Sequence, residues 1–336
     1  MSASATHSRV RLGIDLDRQG RQRGDLEIKW SDNERPLGVY PVPLACLSNG
    51  KGPTVLLTGG VHGDEFEGPA ALMRLLQQLE PEDIQGRLII IPALNAMAFE
   101  QSSRVSPLDG VNLNRAFPGD ANGTPTQMLA HFIETVLLPQ CDAVIDLHSG
   151  GKASVFASCT LAQLDGDCGD RNRALANAVA APLLWVSGRS NDDRSLNAAA
   201  VRQQVSMIAA ELGGGGGCDP VMTGFSESAI KRALNHLGLT RLSVEPAQPP
   251  RLVTHRQTLT APATGLFDRL CTAGETVEAG QLAGHVHFVG ESVRDSLPIV
   301  FESAGIVLAH SNRGIVERGD FIASLVEILQ EGASIS

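Results

Sequence analysis

The sequence lacks a segment suited to crossing a membrane. It contains no run of about 18 consecutive apolar residues. Residues 1–36 are polar and charged, without the basic start and apolar stretch that mark a secretion signal. We therefore expect a soluble, cytoplasmic protein with no membrane partner.

An excess of positive charge is also missing. The 27 Lys and Arg residues are outnumbered by 37 Asp and Glu residues, so the formal net charge is −10 at pH 7. Because nucleic-acid binding depends on basic surfaces that neutralise phosphates, this balance argues against a nucleic-acid partner.

Closely spaced cysteine pairs are absent as well. The sequence has six cysteines but no Cys-x-x-Cys spacing, so it indicates neither a disulfide scaffold nor a thiolate metal site. We expect reduced thiols, with a Cys159–Cys168 pair only in an oxidising setting. The six positions are Cys46, Cys141, Cys159, Cys168, Cys218 and Cys271.

What the chain does contain is a strong alternation of apolar runs and helical patterns. Its 336 residues, 43% of them hydrophobic, are enough for a full core and more than one domain. The alternation between residues 39 and 245 predicts an α/β domain with a doubly wound sheet. Strands are predicted at residues 55–58, 88–91, 143–147, 205–210 and 239–244, and helices at residues 66–79, 126–138, 171–180, 195–204 and 226–237.

Two further segments flank this α/β domain. Prolines concentrated in residues 245–250 mark a boundary. After it, residues 251–336 contain short β-prone pieces between glycine turns, which predicts a smaller accessory β domain. That pattern resembles the barrel-sandwich of lipoyl and biotinyl carrier domains, without their attachment motif. Residues 1–38 form an N-terminal segment that either pairs as strands or packs on a neighbouring part.

A histidine and a glutamate stand three residues apart where the first predicted strand gives way to a helix. Gly59 and Gly60 allow a tight turn, and His62 and Glu65 follow it. Ligands bind at the carboxyl ends of strands in open α/β sheets, so this is a favourable place for a metal site. His131 and Glu134 have the same spacing inside a predicted helix, and we interpret that pair as solvated helix surface.

A second histidine strengthens the metal interpretation. His148 ends the apolar run at residues 143–147 and precedes glycines. Alone, each histidine is more typical of a core or turn position. Two histidines and one glutamate, with a fourth position open, form the ligand set of hydrolytic zinc sites, in which the metal acidifies a bound water and polarises a carbonyl. Asp146 is predicted to orient a ligand imidazole from behind.

Other residues supply the groups that a hydrolysis reaction needs. Glu211 ends the apolar run at residues 205–210 and precedes a glycine-rich loop. It suits a general base, although a surface glutamate before a linker is the alternative. Arg104, Asn114 and Arg115 lie in a loop-rich stretch and suit binding of a carboxylate or stabilisation of an oxyanion.

Taken together, these motifs resemble the succinylglutamate desuccinylase and aspartoacylase family, a branch of the zinc carboxypeptidase-like fold. The resemblance covers roughly residues 50–245, in the family's order. The matching segments are His-Gly-Asp-Glu-Phe-Glu-Gly at residues 62–68, Asn-Leu-Asn-Arg-Ala-Phe-Pro-Gly at 112–119, Asp-Leu-His-Ser-Gly at 146–150 and Glu-Leu-Gly-Gly at 211–214.

The resemblance implies specific roles. One zinc ion per chain would be held by His62, Glu65 and His148, with Glu211 as the general base. It further places Arg104 near the scissile carbonyl and Asn114 with Arg115 at the substrate carboxylate. The chain departs from the family at Asn112, where the family often has Asp.

The implied activity is removal of a small acyl group from an N-acyl amino acid by a zinc-dependent amidohydrolase. Within the family, the motifs at residues 59–69 and 211–216 are most similar to deacetylases of N-acetyl-2,4-diaminobutyrate in ectoine degradation. The alternatives are a zinc carboxypeptidase acting on short peptides and a non-catalytic binding module on a hydrolase scaffold. The partner is then a small N-acyl amino acid, and the sequence leaves a homo-oligomer open.

Overall fold

The computed structural model describes residues 9–33, 35–186, 192–291 and 293–329. Within these ranges the helices are α1 (Glu67–Gln78), α2 (Ala96–Glu100), α3 (Pro125–Phe132), α4 (Gly169–Val179), α5 (Leu196–Arg202) and α6 (Pro220–His236). The strands are β1 (Val10–Leu12), β2 (Gly20–Lys29), β3 (Val39–Asn49), β4 (Thr54–Gly59), β5 (Gly86–Ile91), β6 (Ala143–His148), β7 (Ser154–Ala162), β8 (Leu183–Val186), β9 (Ser206–Gly214), β10 (Arg251–Thr260), β11 (Gly265–Arg269), β12 (Thr276–Val277), β13 (Leu282–His287), β14 (Leu297–Val300), β15 (Gly305–Ser311), β16 (Ile315–Val316) and β17 (Phe321–Ile328).

Four parallel strands form the centre of the large sheet, in the order β5-β4-β6-β9. On one side β3, β2 and β1 continue the sheet in antiparallel fashion. On the other side β7 runs antiparallel to β9, and β8 and β10 follow in parallel. The result is a mixed sheet, and the carboxyl ends of β4, β6 and β9 meet at one edge of it.

Helices cover both faces of the central strands, as a doubly wound sheet requires. One apolar cluster packs α1, α4 and α6 on the first face, through side chains such as Leu72, Leu175 and Ile230. A second cluster packs α2, α3 and α5 on the opposite face. The predicted α/β class and its doubly wound arrangement are therefore confirmed.

The C-terminal strands extend the same sheet and then return to it. β10 pairs with β17, β17 with β15, and β15 with residues 154–156 of β7. The other end of β7 pairs with β8, which pairs with β10. We call these five strands, β7, β8, β10, β17 and β15, the strand ring. The separate four-stranded sheet β14-β13-β11-β16 packs beside it and completes the C-terminal part.

The predicted division at residues 245–251 stays a prediction. The chain between α6 and β10 forms neither helix nor strand, yet the ring joins the two sides by hydrogen bonds. β1 and β2 lie in the predicted N-terminal segment, of which residues 1–8 and 34 are outside the described residues.

One predicted strand is wrong. Residues 239–244 form no strand, because their polar groups are satisfied locally by the side chain of Asn235 at the end of α6. Its Oδ1 accepts hydrogen bonds from Thr240 Oγ1 and Leu242 N, both at 2.8 Å, and its Nδ2 donates to Leu242 O at 2.8 Å. The apolar character that suggested a strand reflects burial of Leu239 beneath α6.

Candidate metal centre

Turns at the ends of β4 and β6 bring the three predicted ligands together. β4 ends at Gly59, and Gly60 takes a left-handed backbone conformation with φ of 58°. His62 and Glu65 lie in the turn between β4 and α1, while His148 is the last residue of β6. All three side chains are buried.

The side chains of these residues converge on a single point. His62 Nδ1 lies 2.7 Å from Glu65 Oε1, and His148 Nδ1 lies 2.9 Å from Glu65 Oε2. The two imidazole rings are 5.3 Å apart. One donor atom from each of the three residues lies within 4.8 Å of the other two, so the group could hold a metal ion.

Acceptors behind each imidazole fix which nitrogen faces the centre. Asp146 Oδ2 lies 2.7 Å from His148 Nε2, and Thr58 Oγ1 donates to Asp146 Oδ1 at 2.7 Å. Asn112 Oδ1 lies 3.1 Å from His62 Nε2. Each Nε2 therefore has an acceptor for its proton, which leaves the Nδ1 lone pairs for a metal. This donor set fits zinc.

Charge is concentrated in this buried group. Burial alone would raise the pKa of Glu65, but His148 and His62 lower it to about 2. Burial alone would lower the pKa of His148, but Asp146 and Glu65 raise it well above its ordinary value. Burial lowers the pKa of His62 despite Glu65. The metal-free group is therefore an anionic carboxylate beside a cationic imidazole. On metal binding the imidazole would lose its proton, and the carboxylate would pair with the metal instead.

Glu211 lies beside this group, directly opposite His148 in the register of β6 and β9. β9 continues to Gly214, so Glu211 lies within the strand. Our prediction that Glu211 stands at the end of the strand is wrong. Its Oε2 is buried and has no hydrogen-bonding partner among the described residues. Burial, with a contribution from Glu65 and against the opposing effect of His148, raises the pKa of Glu211 to about 8. A buried carboxyl group with a raised pKa and one free oxygen at such a position is suited to proton transfer.

Arg104 reaches the same centre from an exposed loop. Its Nη1 lies 3.6 Å from Glu65 Oε1, and about half of its side chain is exposed. Gly63 N donates to Ser103 O at 2.9 Å, and this hydrogen bond joins the Arg104 loop to the turn that carries His62 and Glu65. Position 63 needs glycine, since a Cβ there would lie 2.0 Å from the backbone carbon of Ala98.

Asn114 and Arg115 do not contact His62 directly and are linked to it through Asn112. Asn112 Oδ1, which faces His62, also accepts a hydrogen bond from Asn114 N at 2.9 Å. Asn114 Oδ1 accepts from Leu196 N at 2.9 Å. Arg115 donates through Nη1 to Asn114 O at 2.7 Å, and its Nε lies 2.9 Å from Asp192 Oδ2.

Sequence reasoning missed the loop that contacts Arg115. Asp192 and Arg194 form a bidentate pair, with Arg194 Nε 2.9 Å from Asp192 Oδ1 and Arg194 Nη2 2.9 Å from Asp192 Oδ2. The signal was a charged Asp-Asp-Arg run at residues 192–194, which reads as an ordinary polar loop.

The interpretation of Glu134 as solvated surface is wrong. Its side chain is buried, and its carboxylate receives two hydrogen bonds from Arg202 at 2.7 and 2.8 Å. The helical register turns Glu134 inward at a widened turn, Ile133–Leu137, that follows α3. His131 and Glu134 are not part of the metal-binding group.

A buried His-Glu-His group at the carboxyl ends of parallel strands in a doubly wound sheet is typical of metal-dependent hydrolases. The family model of the succinylglutamate desuccinylase/aspartoacylase catalytic domain matches residues 51–237. A relative from Halomonas elongata, named N-alpha-acetyl-L-2,4-diaminobutyric acid deacetylase, is 33% identical over 329 residues, which cover 96% of each chain. The chain belongs to the succinylglutamate desuccinylase/aspartoacylase family and is a hydrolase of amide bonds.

Solved structures agree over nearly the whole chain. The product-bound ectoine utilization protein EutE (DoeB) from Ruegeria pomeroyi superposes with a TM-score of 0.92 and 31% identity, covering 96% of this chain and 99% of that one. The succinylglutamate desuccinylase/aspartoacylase from Rhodobacter sphaeroides superposes with a TM-score of 0.89 and 36% identity, covering 96% of this chain and 100% of that one.

No helix in the described ranges has both the length and the apolarity needed to span a membrane.

Proposed function

We propose that the chain is a zinc-dependent deacetylase that hydrolyses Nα-acetyl-L-2,4-diaminobutyrate. The observation that carries this proposal is the convergence of His62, Glu65 and His148, with the unpartnered Oε2 atom of Glu211 beside them. The name of the Halomonas elongata relative, matched along nearly the whole of both chains, supports the choice of substrate.

Three residues would hold the metal. His62 and His148 would present Nδ1, because Asn112 and Asp146 engage the Nε2 atoms, and Glu65 would present its carboxylate. When bound, zinc supplies Lewis-acid chemistry that acidifies a water molecule and polarises the substrate carbonyl.

Glu211 is the proposed proton carrier. It accepts a proton from the attacking water and delivers it to the amide nitrogen, which leaves as an amine. In the metal-free chain burial raises the pKa of Glu211 to about 8, and the positive charge of a bound zinc ion would lower this pKa, so that the ionised carboxylate can accept the proton. Arg104 lies close enough to Glu65 to stabilise negative charge on the carbonyl oxygen.

The α-carboxylate of the substrate is assigned to Asn114 and Arg115. The Oδ1 atom of Asn114 is engaged by Leu196 N, which orients the side-chain amide and leaves its Nδ2 protons for a ligand. The guanidinium of Arg115 is held by Asn114 O and Asp192, so it is oriented before the substrate arrives.

Hydrolysis by the purified zinc-loaded chain tests the proposal. Nα-acetyl-L-2,4-diaminobutyrate should be cleaved at a higher kcat/KM than N-acetyl-L-aspartate, N-succinyl-L-glutamate or a short peptide. Faster cleavage of either diacid would leave a deacylase with another substrate. Preferential cleavage of the peptide would identify a carboxypeptidase, and binding without any turnover would identify a non-catalytic module.

A further inference from the structure

We propose that Asp192 binds the side-chain ammonium group of the substrate, beside the carboxylate bound by Arg115. This inference rests on the proposed function and makes Asp192 the residue that selects a cationic amino acid side chain. Neither charge of the substrate would then lie without a partner.

The carboxylate of Asp192 forms ion pairs with two arginines, one of which is the proposed carboxylate-binding residue Arg115. Asp192 Oδ2 lies 2.9 Å from Arg115 Nε and 2.9 Å from Arg194 Nη2. Arg115 and the substrate carboxylate would form one pair, and Asp192 and the substrate ammonium would form the next. In the proposed substrate the two charged groups are separated by a chain of three carbons, short enough for adjacent partners.

The segment that carries Asp192 is hydrogen-bonded to the segment that contains Asn114 and Phe117. Leu196 N donates to Asn114 Oδ1 at 2.9 Å, and Phe117 N donates to Arg194 O at 3.1 Å. Since Asn112 joins that turn to His62, Asp192 lies on the side of the centre assigned to the substrate carboxylate.

Arg194 occupies the position on Asp192 that an ammonium group would take. About two thirds of the Arg194 side chain is exposed, and the pair is local to one loop. Exposed ion pairs contribute little to stability, so a substrate cation can displace this guanidinium. Hydrogen bonds from Arg194, with the charge of Arg115, also keep the pKa of Asp192 below its ordinary value, so the carboxylate is anionic when the substrate arrives.

The other acidic residues near the motifs are engaged elsewhere. Asp146 binds His148 and Thr58, and Asp109 accepts hydrogen bonds from Thr126 N and Oγ1. The buried Asp64 accepts from Lys152 N, and the buried Glu67 accepts from Gly214 N. The second oxygen of each, Asp64 Oδ1 and Glu67 Oε2, has no partner among the described residues, but neither side chain has the exposure that Asp192 keeps. Asp192 keeps about a quarter of its side chain exposed, and its carboxylate contacts the guanidiniums of Arg115 and Arg194 and accepts a hydrogen bond from Arg194 N at 3.0 Å.

The test compares two substrates that differ only in charge. In Nα-acetyl-L-norvaline a methyl group replaces the ammonium of Nα-acetyl-L-2,4-diaminobutyrate. For Asp192→Asn, the ratio of kcat/KM for the diaminobutyrate compound to that for the norvaline compound should fall by about 10- to 100-fold, as expected for loss of a charged hydrogen bond. An equal fall for both substrates would overturn the inference and reduce Asp192 to a positioning residue for Arg115.

Neighbouring positions provide matched controls. Asp193→Asn makes the same change one residue away, where the main chain contacts Arg202, and should leave the ratio unchanged. Arg194→Met removes the competing cation and should raise the ratio. An unchanged ratio in Arg194→Met together with an altered ratio in Asp193→Asn would contradict the assignment to Asp192.

Product binding separates this inference from the proposed function. By calorimetry, L-2,4-diaminobutyrate should bind the wild-type chain more tightly than L-norvaline, and Asp192→Asn should remove the difference. If Asp192→Asn removes the difference in product binding but the wild-type chain shows no turnover, the binding site is retained and the deacetylase is rejected. Turnover of both acetylated compounds without any preference in wild type would retain the deacylase and reject Asp192.

Discussion

The two histidines of the centre differ in what lies behind them. His148 is backed by a carboxylate, Asp146, whereas His62 is backed by an amide oxygen, Asn112. A carboxylate partner increases the basicity of an imidazole more than an amide does, so His148 is expected to be the stronger ligand. The family departure at Asn112 therefore changes the support of a ligand while preserving its orientation.

Replacing His148 by Ala should abolish zinc binding and hydrolysis together, because three protein ligands leave none to spare. Zinc content by atomic absorption, measured alongside activity, checks this result. His131→Ala serves as the control, since that histidine lies outside the metal-binding group, and it should change neither quantity. Full zinc occupancy in His148→Ala would show that the ligand assignment is incorrect.

Replacing Glu211 by Gln keeps the shape of the side chain and removes its ability to accept a proton. We expect turnover to fall by roughly 10²- to 10⁴-fold. Zinc content should stay at the wild-type level, because Glu211 is outside the ligand group. Single-turnover kinetics together with zinc analysis measure both effects, and near-normal turnover would assign the proton transfer to another group.

Zinc binding should release a proton and therefore depend on pH. His148 has a pKa well above its ordinary value in the metal-free chain, so its imidazole is protonated at neutral pH and must lose that proton to bind zinc. Glu65, with a pKa of about 2, has no proton to lose. Affinity should rise by about tenfold per pH unit below the His148 pKa. Calorimetry in buffers of different ionisation enthalpy would count at least one released proton at pH 7, and a count of zero would contradict the charge state inferred here.

The positions of the proposed ligands, and of Asp146 behind one of them, could be predicted from sequence, whereas the contacts of the loop that carries Asp192 could not. His62 and His148 each follow an apolar run that ends at glycines, and parallel strands deliver such residues to one edge. Asp192 and Arg194 come from a loop with no periodic pattern, so their meeting with Arg115 depends on tertiary structure alone.

At the scale of elements, the widened turn after α3 is joined to α5 by one ion pair, in which the carboxylate is buried and the guanidinium is about one third exposed. Glu134 lies in that turn, and Arg202 is the last residue of α5. Arg202 also donates to Asp193 O at 2.7 Å, so the pair links both helices to the loop that carries Asp192. The sequence predicted both helices, but it predicted a regular helix through residue 138. In the structure α3 ends at Phe132, and the widened turn that follows makes this contact.

Arg202→Met should destabilise the fold by about 1–3 kcal/mol, because it leaves a buried carboxylate without its partner. The free energy of unfolding in urea measures the effect. Arg256→Met is the control: it breaks a pair with Glu327 in which both side chains are more than two-fifths exposed, and it should cost at most about 1 kcal/mol. Equal effects of the two variants would mean that burial of Glu134 has no energetic consequence.

At the scale of the whole molecule, the strand ring makes the C-terminal part continuous with the hydrolase part. One apolar cluster combines Cys159 and Leu183 from the first part with Val253, Leu308 and Val326 from the second. The composition change at residues 245–251 predicted a boundary in the chain, but pairing between β7 and β15 is too distant in sequence for local patterns to predict.

Leu308→Ala should therefore destabilise the entire chain by about 2–5 kcal/mol, since it opens a cavity where both parts pack. Scanning calorimetry should show one unfolding transition, shifted to lower temperature, and loss of activity in the same transition. Two separate transitions, with activity surviving the first, would show that the ring does not couple the parts.

The strand ring also sets an order of events during synthesis. β7 and β8 are made long before β15 and β17, which are the last strands of the ring to leave the ribosome. Until then, part of the edge of β7 and the side chains of Leu183 and Val253 lack the partners that cover them in the finished fold. Unpaired edges and exposed apolar side chains favour association between chains. Between the synthesis of β8 and that of β17, the nascent chain is therefore open to association with other chains through this part of the fold.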